Sequence, residues 1–542
     1  MQTRWMILGL MAALTGCVEP SNREAVPRVP ETFVPVEFPQ GFLWGTAEAA
    51  WQVEGDYPAD GVTPRSNWSI WTREFDGAKG EINPEGAGFY RLYEDDLDRG
   101  QALGLNAFRM GVEWARIEPQ NDQWNEAAIE HYVRVIKAAR ARGMTPMITF
   151  WHWVVPDWIS DPSLARGDPA RDQLAVPYNQ WLYDEFAEFV SHVVPYIGDD
   201  VDLYSVLNEP WSVIAGAYVG GVFPPGESLD LESALNVHAN LIFMQARAGA
   251  AIRRYDTGDA DGDGRAYSIG TAKASSLILP IDTEDPYDVQ GAANYNRFFN
   301  SADVDAWTTG KIDVNGDGDT EDLDTVPPEG YYAELDDAIE WLGIQYYGPI
   351  YVKGFAGDPP FTALPAIEGL FEDESMYPNT EFNFQIRPSV FLATLEYFWN
   401  RYGLPIYITE NGTADCDDNQ RPRHIVEHLH VLGRALDDAT GAGIDVRGYF
   451  HWSLTDNFEW AEGTRECFGL YAVNYDTFER TKRGSADVYA SVIAAQGIDA
   501  AMYRRAYDSG YDGDPSVPME TTLSEIEAEI ANGVAASLEY KR

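Results

Sequence analysis

Residues 127–151 read AAIEHYVRVIKAARARGMTPMITFW. The stretch 127–142 is amphipathic at helical spacing, and 145–151 is a short, largely apolar run that follows it. A helical pattern feeding a nearly continuous apolar strand is how a β/α unit buried on both sheet faces reads in sequence. The unit recurs in both directions along the chain. Candidate strands lie at 42–46, 107–111, 145–151, 203–207, 267–271, 341–346, 406–409 and 448–452, with further amphipathic stretches at 180–194, 231–254, 390–402 and 423–440. Parallel strands require such crossovers. Eight of them predict an α/β chain closed into one (β/α)8 TIM barrel domain. Long loops are expected at 57–80 and at 354–382, the second on the barrel rim.

The length of 542 residues would fill three average domains, but a barrel with insertions accommodates it. Aromatic residues make up 13% of the chain, including 17 Trp and 30 Tyr. Bulky core filling and flat sugar-binding faces both account for this, and composition does not choose between them. Acidic residues outnumber basic ones 87 to 38, giving a formal charge of −49. Without a basic surface to neutralise phosphates, nucleic acid is excluded as a partner. An acidic polysaccharide is repelled too, which favours neutral sugars. A strongly acidic surface stays soluble and is tolerated where salt screens its self-repulsion, which suggests a salt-rich habitat.

The N-terminus begins with a basic Met1–Arg4 start, an apolar 5–14 stretch, and Leu14-Thr15-Gly16-Cys17. This predicts a secretory signal too short to span a bilayer. Its ending looks like the bacterial lipoprotein box, in which Cys17 becomes the lipidated first residue; an ordinary signal with a chance cysteine is the other reading. Val18 in place of Asp suggests outer-membrane sorting in a two-membrane bacterium. The expected organisation is a signal at 1–17, a tether at 18–37, the barrel at 38–495 and an acidic extension at 496–542 with a candidate helix at 522–536. The protein is expected to be exported and lipid-anchored at the cell envelope, meeting the membrane only through that lipid.

Two glutamates close apolar strands about 200 residues apart: Glu209 in Ser205-Val-Leu-Asn-Glu-Pro210 and Glu410 in Ile406-Tyr-Ile-Thr-Glu-Asn-Gly412. Each string alone is ordinary loop sequence. As a pair they set two carboxyls at the strand ends where parallel barrels do chemistry. Glycosidic bond cleavage needs two carboxyls, one to protonate the leaving oxygen and one to attack or to activate water.

Two acidic loops stand apart from the barrel pattern. Residues 259–264 and 313–324 space oxygen-bearing side chains at positions one, three and five with Gly at six, as calcium loops do. In the second loop Asp313, Asn315, Asp317, Asp319 and Asp324 are the candidate ligands of a structural Ca²⁺, with Asp at position twelve instead of Glu. A solvated Asp/Gly loop in an acidic protein is the alternative. Cys416 and Cys467 follow the seventh and eighth candidate strands, and are either a disulfide or two free thiols.

From about Phe38 to Tyr489 the chain resembles the family-1 glycoside hydrolases. The matching strings are Phe42-Leu-Trp-Gly-Thr-Ala47, Gln52-Val-Glu-Gly55, Phe108-Arg-Met-Gly-Val-Glu-Trp-Ala-Arg116, His152-Trp153, Asn208-Glu-Pro210, Thr409-Glu-Asn-Gly412 and Trp452-Ser-Leu-Thr-Asp-Asn-Phe-Glu-Trp460. The Val-Glu-Trp-Ala-Arg string and His451-Trp452 look more like the archaeal branch than the plant enzymes. The resemblance implies a retaining, exo-acting β-glycosidase, above all a β-glucosidase releasing glucose from neutral β-linked oligosaccharides or aryl glycosides, with no catalytic cofactor. Glu209 resembles the acid/base and Glu410 the nucleophile. Arg109 resembles the cation that keeps the nucleophile charged, and Tyr347 the tyrosine that donates to it. Gln52, His152, Asn208 and Glu459 resemble the groups binding sugar hydroxyls, Trp452 the platform beneath the ring and Trp460 another wall. Trp211 is a candidate acceptor-side wall or core residue.

The chain also departs from the family. Gln345 stands where Asn is usual, Phe384 where Trp is common, and Cys467 where Arg is usual. The Ser and Lys arrangement of 6-phosphoglycosidases is absent. β-Galactosidase, β-fucosidase, β-mannosidase and transglycosylase activities remain open, as do a non-catalytic sugar-binding lipoprotein and a calcium-dependent adhesin. The oligomeric state is not legible.

Overall fold

The computed structural model describes residues 33–59, 62–357, 362–365, 384–437 and 443–507. Eight parallel strands form a closed barrel: β1 (Leu43–Ala47), β2 (Ala107–Gly111), β3 (Thr145–Trp151), β4 (Leu203–Asn208), β5 (Ser268–Ala274), β6 (Trp341–Gln345), β7 (Ile406–Asn411) and β8 (Val446–Trp452). The crossover helices are α1 (Phe89–Leu103), α2 (Glu126–Ala141), α3 (Gln180–Ile197), α4 (Leu231–Tyr255), α5 (Ala302–Thr309), α6 (Pro388–Tyr402), α7 (Arg421–Leu436) and α8 (Gly484–Ala495). Side-chain caps start several of them where expected. Asn125, Asn179 and Asp230 accept the Ala128, Leu182 and Ser233 amides at the starts of α2, α3 and α4.

The strands are buried almost throughout because side chains fill the barrel on one face and pack against helices on the other. The ladder is irregular at the C-terminal ends of β4, β6 and β7, near Asn208, Gln345 and Glu410. Such irregularities re-aim side chains. At the opposite end a cavity of about 400 Å³ opens between the strand starts, lined by Phe42, Thr145, Leu203, Ser268 and Val446 among others.

Two sequence expectations are corrected. The 57–80 stretch contains a helix, Asn67–Glu74, closed by a capping box between Ser66 and Ser69. Its Trp, Ser, Ile and Thr residues are middling helix formers, and what holds it is burial of Trp68, Ile70 and Trp71, each side chain of this size contributing roughly 2–3 kcal/mol. The folded unit also passes both expected domain boundaries. Val36–Glu37, placed in the tether, pairs antiparallel with Gly497–Ile498, placed in the extension, and helix Ala500–Tyr507 follows. Tyr503 and Ala506 of that helix are buried. Cys17 with the signal, the 522–536 candidate helix, and 358–361 and 366–382 of the expected rim loop lie outside the described residues. Among the described residues no helix is long and apolar enough to cross a membrane.

Candidate active site

Arg109 organises the C-terminal end of the barrel. Its side chain, 1% exposed, leaves β2 and donates from Nη1 to Glu410 Oε1 at 2.6 Å and to the Thr409 carbonyl at 3.2 Å. Nη2 donates to Asn208 Oδ1 at 2.5 Å, and Nε to Thr149 Oγ1 at 3.1 Å. One planar fork thus ties β2, β3, β4 and β7 together, a geometry lysine cannot reproduce. Tyr347, just after β6, donates its hydroxyl to the other oxygen of Glu410 at 2.8 Å.

Burial raises the Glu410 carboxyl above its ordinary value, and the Arg109 charge with the Tyr347 and Arg109 hydrogen bonds offsets only part of that rise. Glu209 has less support. It caps a short helix, Pro210–Ile214, in a left-handed conformation with φ 44°, and its only side-chain donor among the hydrogen bonds seen is Ser212 Oγ at 2.7 Å. Burial, then the negative charge of Glu410, pushes it up to about 8; Ser212, Arg109 and Lys273 oppose this. Both carboxyls are raised, but Glu410 is held by a cation and two donors whereas Glu209 has only Ser212 and the repulsion of Glu410, an asymmetry suited to an acid and a nucleophile.

The amide of Asn208 has a fixed orientation. Its Oδ1 takes donors from Arg109 and, at 2.8 Å, from Gln345 Nε2, so Nδ2 must be the atom facing His152 Nε2 at 3.0 Å. His152 is accordingly an acceptor at Nε2, and burial together with the Arg109 charge keeps the ring neutral. Its proton then resides on Nδ1, which is buried without a partner, as are Gln52 Oε1 and Gln345 Oε1. Buried polar atoms left unpaired are costly, and sugar hydroxyls are groups that satisfy them.

Gln52 donates to Asn457 Oδ1 and the Phe458 carbonyl at 2.9 Å each and to Glu459 Oε2 at 3.3 Å, setting Glu459 beside the site. Burial and the charge of Glu410 raise Glu459 well above the usual carboxylate range. Trp452, at the end of β8, lies 5.9 Å from the His152 ring. Trp460 stacks on Trp51 with centroids 5.7 Å apart and is flanked by Trp68 at 4.8 Å and Trp153 at 4.6 Å. Trp153, Glu209 and Trp460 are all non-glycine residues with positive φ. Backbone strain of this kind, about 1–3 kcal/mol each, gathers at functional sites.

All ten expected site residues gather at this rim. The structure adds Ser212, and it gives Gln345 a defined partner in Asn208. It also adds Lys273, the penultimate residue of β5, with 1% exposure and paired with Asp303 at 2.7 Å. A lysine closing an apolar strand was a visible signal; a serine three residues past a glutamate was not. Phe384 lies 6.0 Å from Tyr347. Cys416 and Cys467 are joined in a disulfide linking the loops after β7 and β8. Trp211 is core, packed edge-on against Phe298 at 4.6 Å. Of the calcium candidates, Asp313 is buried, Asn315 and Asp317 are half-buried, and Asp319 and Asp324 are exposed. They lie in the crossover between α5 and β6.

Residues 34–498 match the family described as Glycosyl hydrolase family 1. A beta-galactosidase from Pyrococcus woesei is 30% identical over 517 residues, covering 85% of this chain and 98% of that protein. A bifunctional beta-D-glucosidase/beta-D-fucosidase from Bifidobacterium breve is 30% identical, covering 84% and 98%. Among solved structures, a family 1 b-glucosidase from Thermotoga maritima superimposes with a TM-score of 0.74 at 28% identity, over 86% of this chain and 99% of that one.

Proposed function

Because the chain belongs to glycosyl hydrolase family 1, we propose that Glu410 is the nucleophile and Glu209 the acid/base of a retaining, exo-acting β-glycosidase whose preferred substrates are β-D-glucosides. The observation that carries this reading is the Arg109 fork on Glu410 set against the nearly unsupported Glu209. In the first step the Glu410 carboxylate attacks the anomeric carbon while Glu209 passes its proton to the departing glycosidic oxygen. That C–O bond breaks and a glycosyl ester forms on Glu410. The ester is uncharged, so the Glu410 repulsion, second to burial in raising Glu209, is removed, and Glu209, having given up its proton, is a carboxylate able to take one from water. Water then attacks the anomeric carbon and frees Glu410, with net retention. The chemistry is carried by the two carboxyls and needs no catalytic cofactor.

Asn208, His152, Gln52 and Glu459 are suited to hold the sugar hydroxyls, with Trp452 beneath the ring. Glu459 can accept from the 4- and 6-hydroxyls without enforcing one epimer, which fits the galactosidase and fucosidase names among the relatives. Initial rates of the full-length protein on aryl β-glucoside, β-galactoside, β-fucoside and β-mannoside should rank the glucoside first and the mannoside last. Glu209→Gln should lower kcat/KM on an unactivated substrate by ~10²–10⁴-fold, and azide should restore turnover of an activated one as the β-glycosyl azide. An α-azide, or no rescue, would overturn the assignment.

Export and lipidation at Cys17 belong to the same reading, supported by the lipobox-like sequence and by the disulfide, which forms in oxidising compartments. Expressed in a bacterial host, the protein should incorporate labelled fatty acid and sediment with membranes, and Cys17→Ala should do neither. Equal labelling of the variant would refute lipidation at this residue.

A further inference from the structure

We propose that 313–329, in the crossover between α5 and β6, is a structural calcium site whose ligands are Asp313, Asn315, Asp317 and Glu329. The spacing of the first three is that of a calcium loop. Asp313 accepts the Asp317 and Gly318 amides at 3.1 and 2.8 Å, and Gly318 turns the chain with φ 89°. Those features alone would describe any tight acidic turn.

Glu329 is the independent observation. It is 4% exposed, although it belongs to a segment of otherwise largely exposed polar residues. One carboxylate oxygen, Oε1, accepts the Val314 amide at 2.8 Å and that of Asn315 at 3.4 Å, which fixes the group against the loop. The other, Oε2, is buried there with no hydrogen-bond partner. A buried carboxylate oxygen facing further acidic side chains is unfavourable unless something positive meets it. The Glu329 amide donates to the Asp322 carbonyl at 2.8 Å, so the side chain is presented by a closed turn and not by a loose end.

The donors are all oxygen, of mixed carboxylate and amide type. Calcium takes six to eight such ligands in flexible geometry, and a glutamate able to bind through both oxygens usually completes the shell. Here Glu329 offers Oε2, its Oε1 being held by the Val314 and Asn315 amides. Asp324, the position-twelve residue, is exposed and is not part of the site.

Two other acidic groups among the described residues, Glu118/Asp122/Glu185 and Asp202/Asp259/Asp261, bring three carboxylate oxygens within 4.8 Å, closer than 313–329 does. Neither offers a buried orphan. Glu118 satisfies both oxygens with the Trp114 indole and the Asp122 amide at 2.8 and 3.0 Å, and Asp202 accepts the Ala260 and Asp261 amides at 2.9 and 2.8 Å.

The site matters because of what it braces. A Cβ at Gly316 would lie 2.6 Å from the Phe298 ring, so the loop rests directly on that side chain. Phe298 in turn packs on Trp211, two residues past Glu209. Arg297 clamps the same loop by donating to the Asp317 carbonyl.

The test uses the full-length chain stripped of metal with a chelator, calcium chloride as the probe, and the variants Glu329→Gln, Asp313→Asn, Asp324→Asn and Asp261→Asn. Calcium should raise Tm by at least ~3 °C at saturation, and isothermal titration should show an ion whose affinity falls at least ~10-fold in Glu329→Gln and in Asp313→Asn, with Asp324→Asn and Asp261→Asn unchanged at this ion. No calcium uptake by the wild-type chain overturns the proposal. So does uptake that survives Glu329→Gln and disappears in Asp261→Asn, which would assign the ion to the 259–264 loop. If Glu329→Gln does not fold, Asp313→Asn and the wild-type titration decide.

Discussion

Glu410→Gln is expected to lower turnover of aryl β-glucosides by at least ~10⁴-fold while leaving the affinity for a glucose-like inhibitor within a few-fold. The amide has nearly the volume of the carboxylate, and its oxygen can still accept from Arg109. Its nitrogen cannot accept the Tyr347 proton, but that hydroxyl can turn and accept instead. The pocket is therefore expected to persist without a nucleophile in it. A binding protein on this fold would show no such loss, having no turnover to lose. The variant has a second readout. The Glu410 charge is the largest cause after burial of the raised Glu209 pKa, so removing it should bring Glu209 down from about 8, measurable by NMR of a carboxyl-labelled protein. That shift imitates what glycosylation of Glu410 does in the reaction. A Glu209 that titrates unchanged would mean the two carboxyls are not coupled, and the acid-to-base switch would need another origin.

Arg109→Met should be nearly as damaging and differs in kind. Its loss leaves Glu410 buried beside Tyr347 alone, and breaking a buried ion pair from one side costs about 3–5 kcal/mol in stability. Glu410 relieves part of this by taking up a proton, because the Arg109 charge is its largest lowering influence. Activity needs Glu410 ionised and is lost as pH falls through its pKa. It needs Glu209 protonated and is lost as pH rises through about 8. Removing Arg109 raises both groups, so both limbs of the kcat/KM profile should move to higher pH. The deficit, at least ~10²-fold near neutrality, should deepen toward pH 5. A profile that keeps its acid limb in place would contradict the role given to Arg109. Asn208 loses the same donor, so KM should rise with the fall in kcat.

Much of the barrel was legible because its strands are buried on both faces and read as apolar runs; 107–111 and 145–151 match β2 and β3 end for end. The placement of the candidate carboxyls was legible for a related reason: a charged residue closing an apolar run has nowhere to go but the strand end. What stayed hidden was structure stabilised by partners distant in sequence. The Asn67–Glu74 helix exists because Trp68 packs on Phe223 and Trp460. The pairing of Val36–Glu37 with Gly497–Ile498 joins two-residue strands over 450 positions apart, and nothing local marks either. Glu329 was missed since a fixed twelve-residue template stops five positions short of it.

That terminal pairing also sets a direction. Val36–Glu37 leads through Pro39–Phe42 into the start of β1, beside the cavity at the end of the barrel opposite Glu209 and Glu410. If Cys17 carries the lipid proposed above, the 16 steps from it to Phe33 could span at most about 55 Å. The segment before Phe33 therefore joins the fold on the face away from the two carboxyls, and an attachment made there would leave the mouth open to solvent.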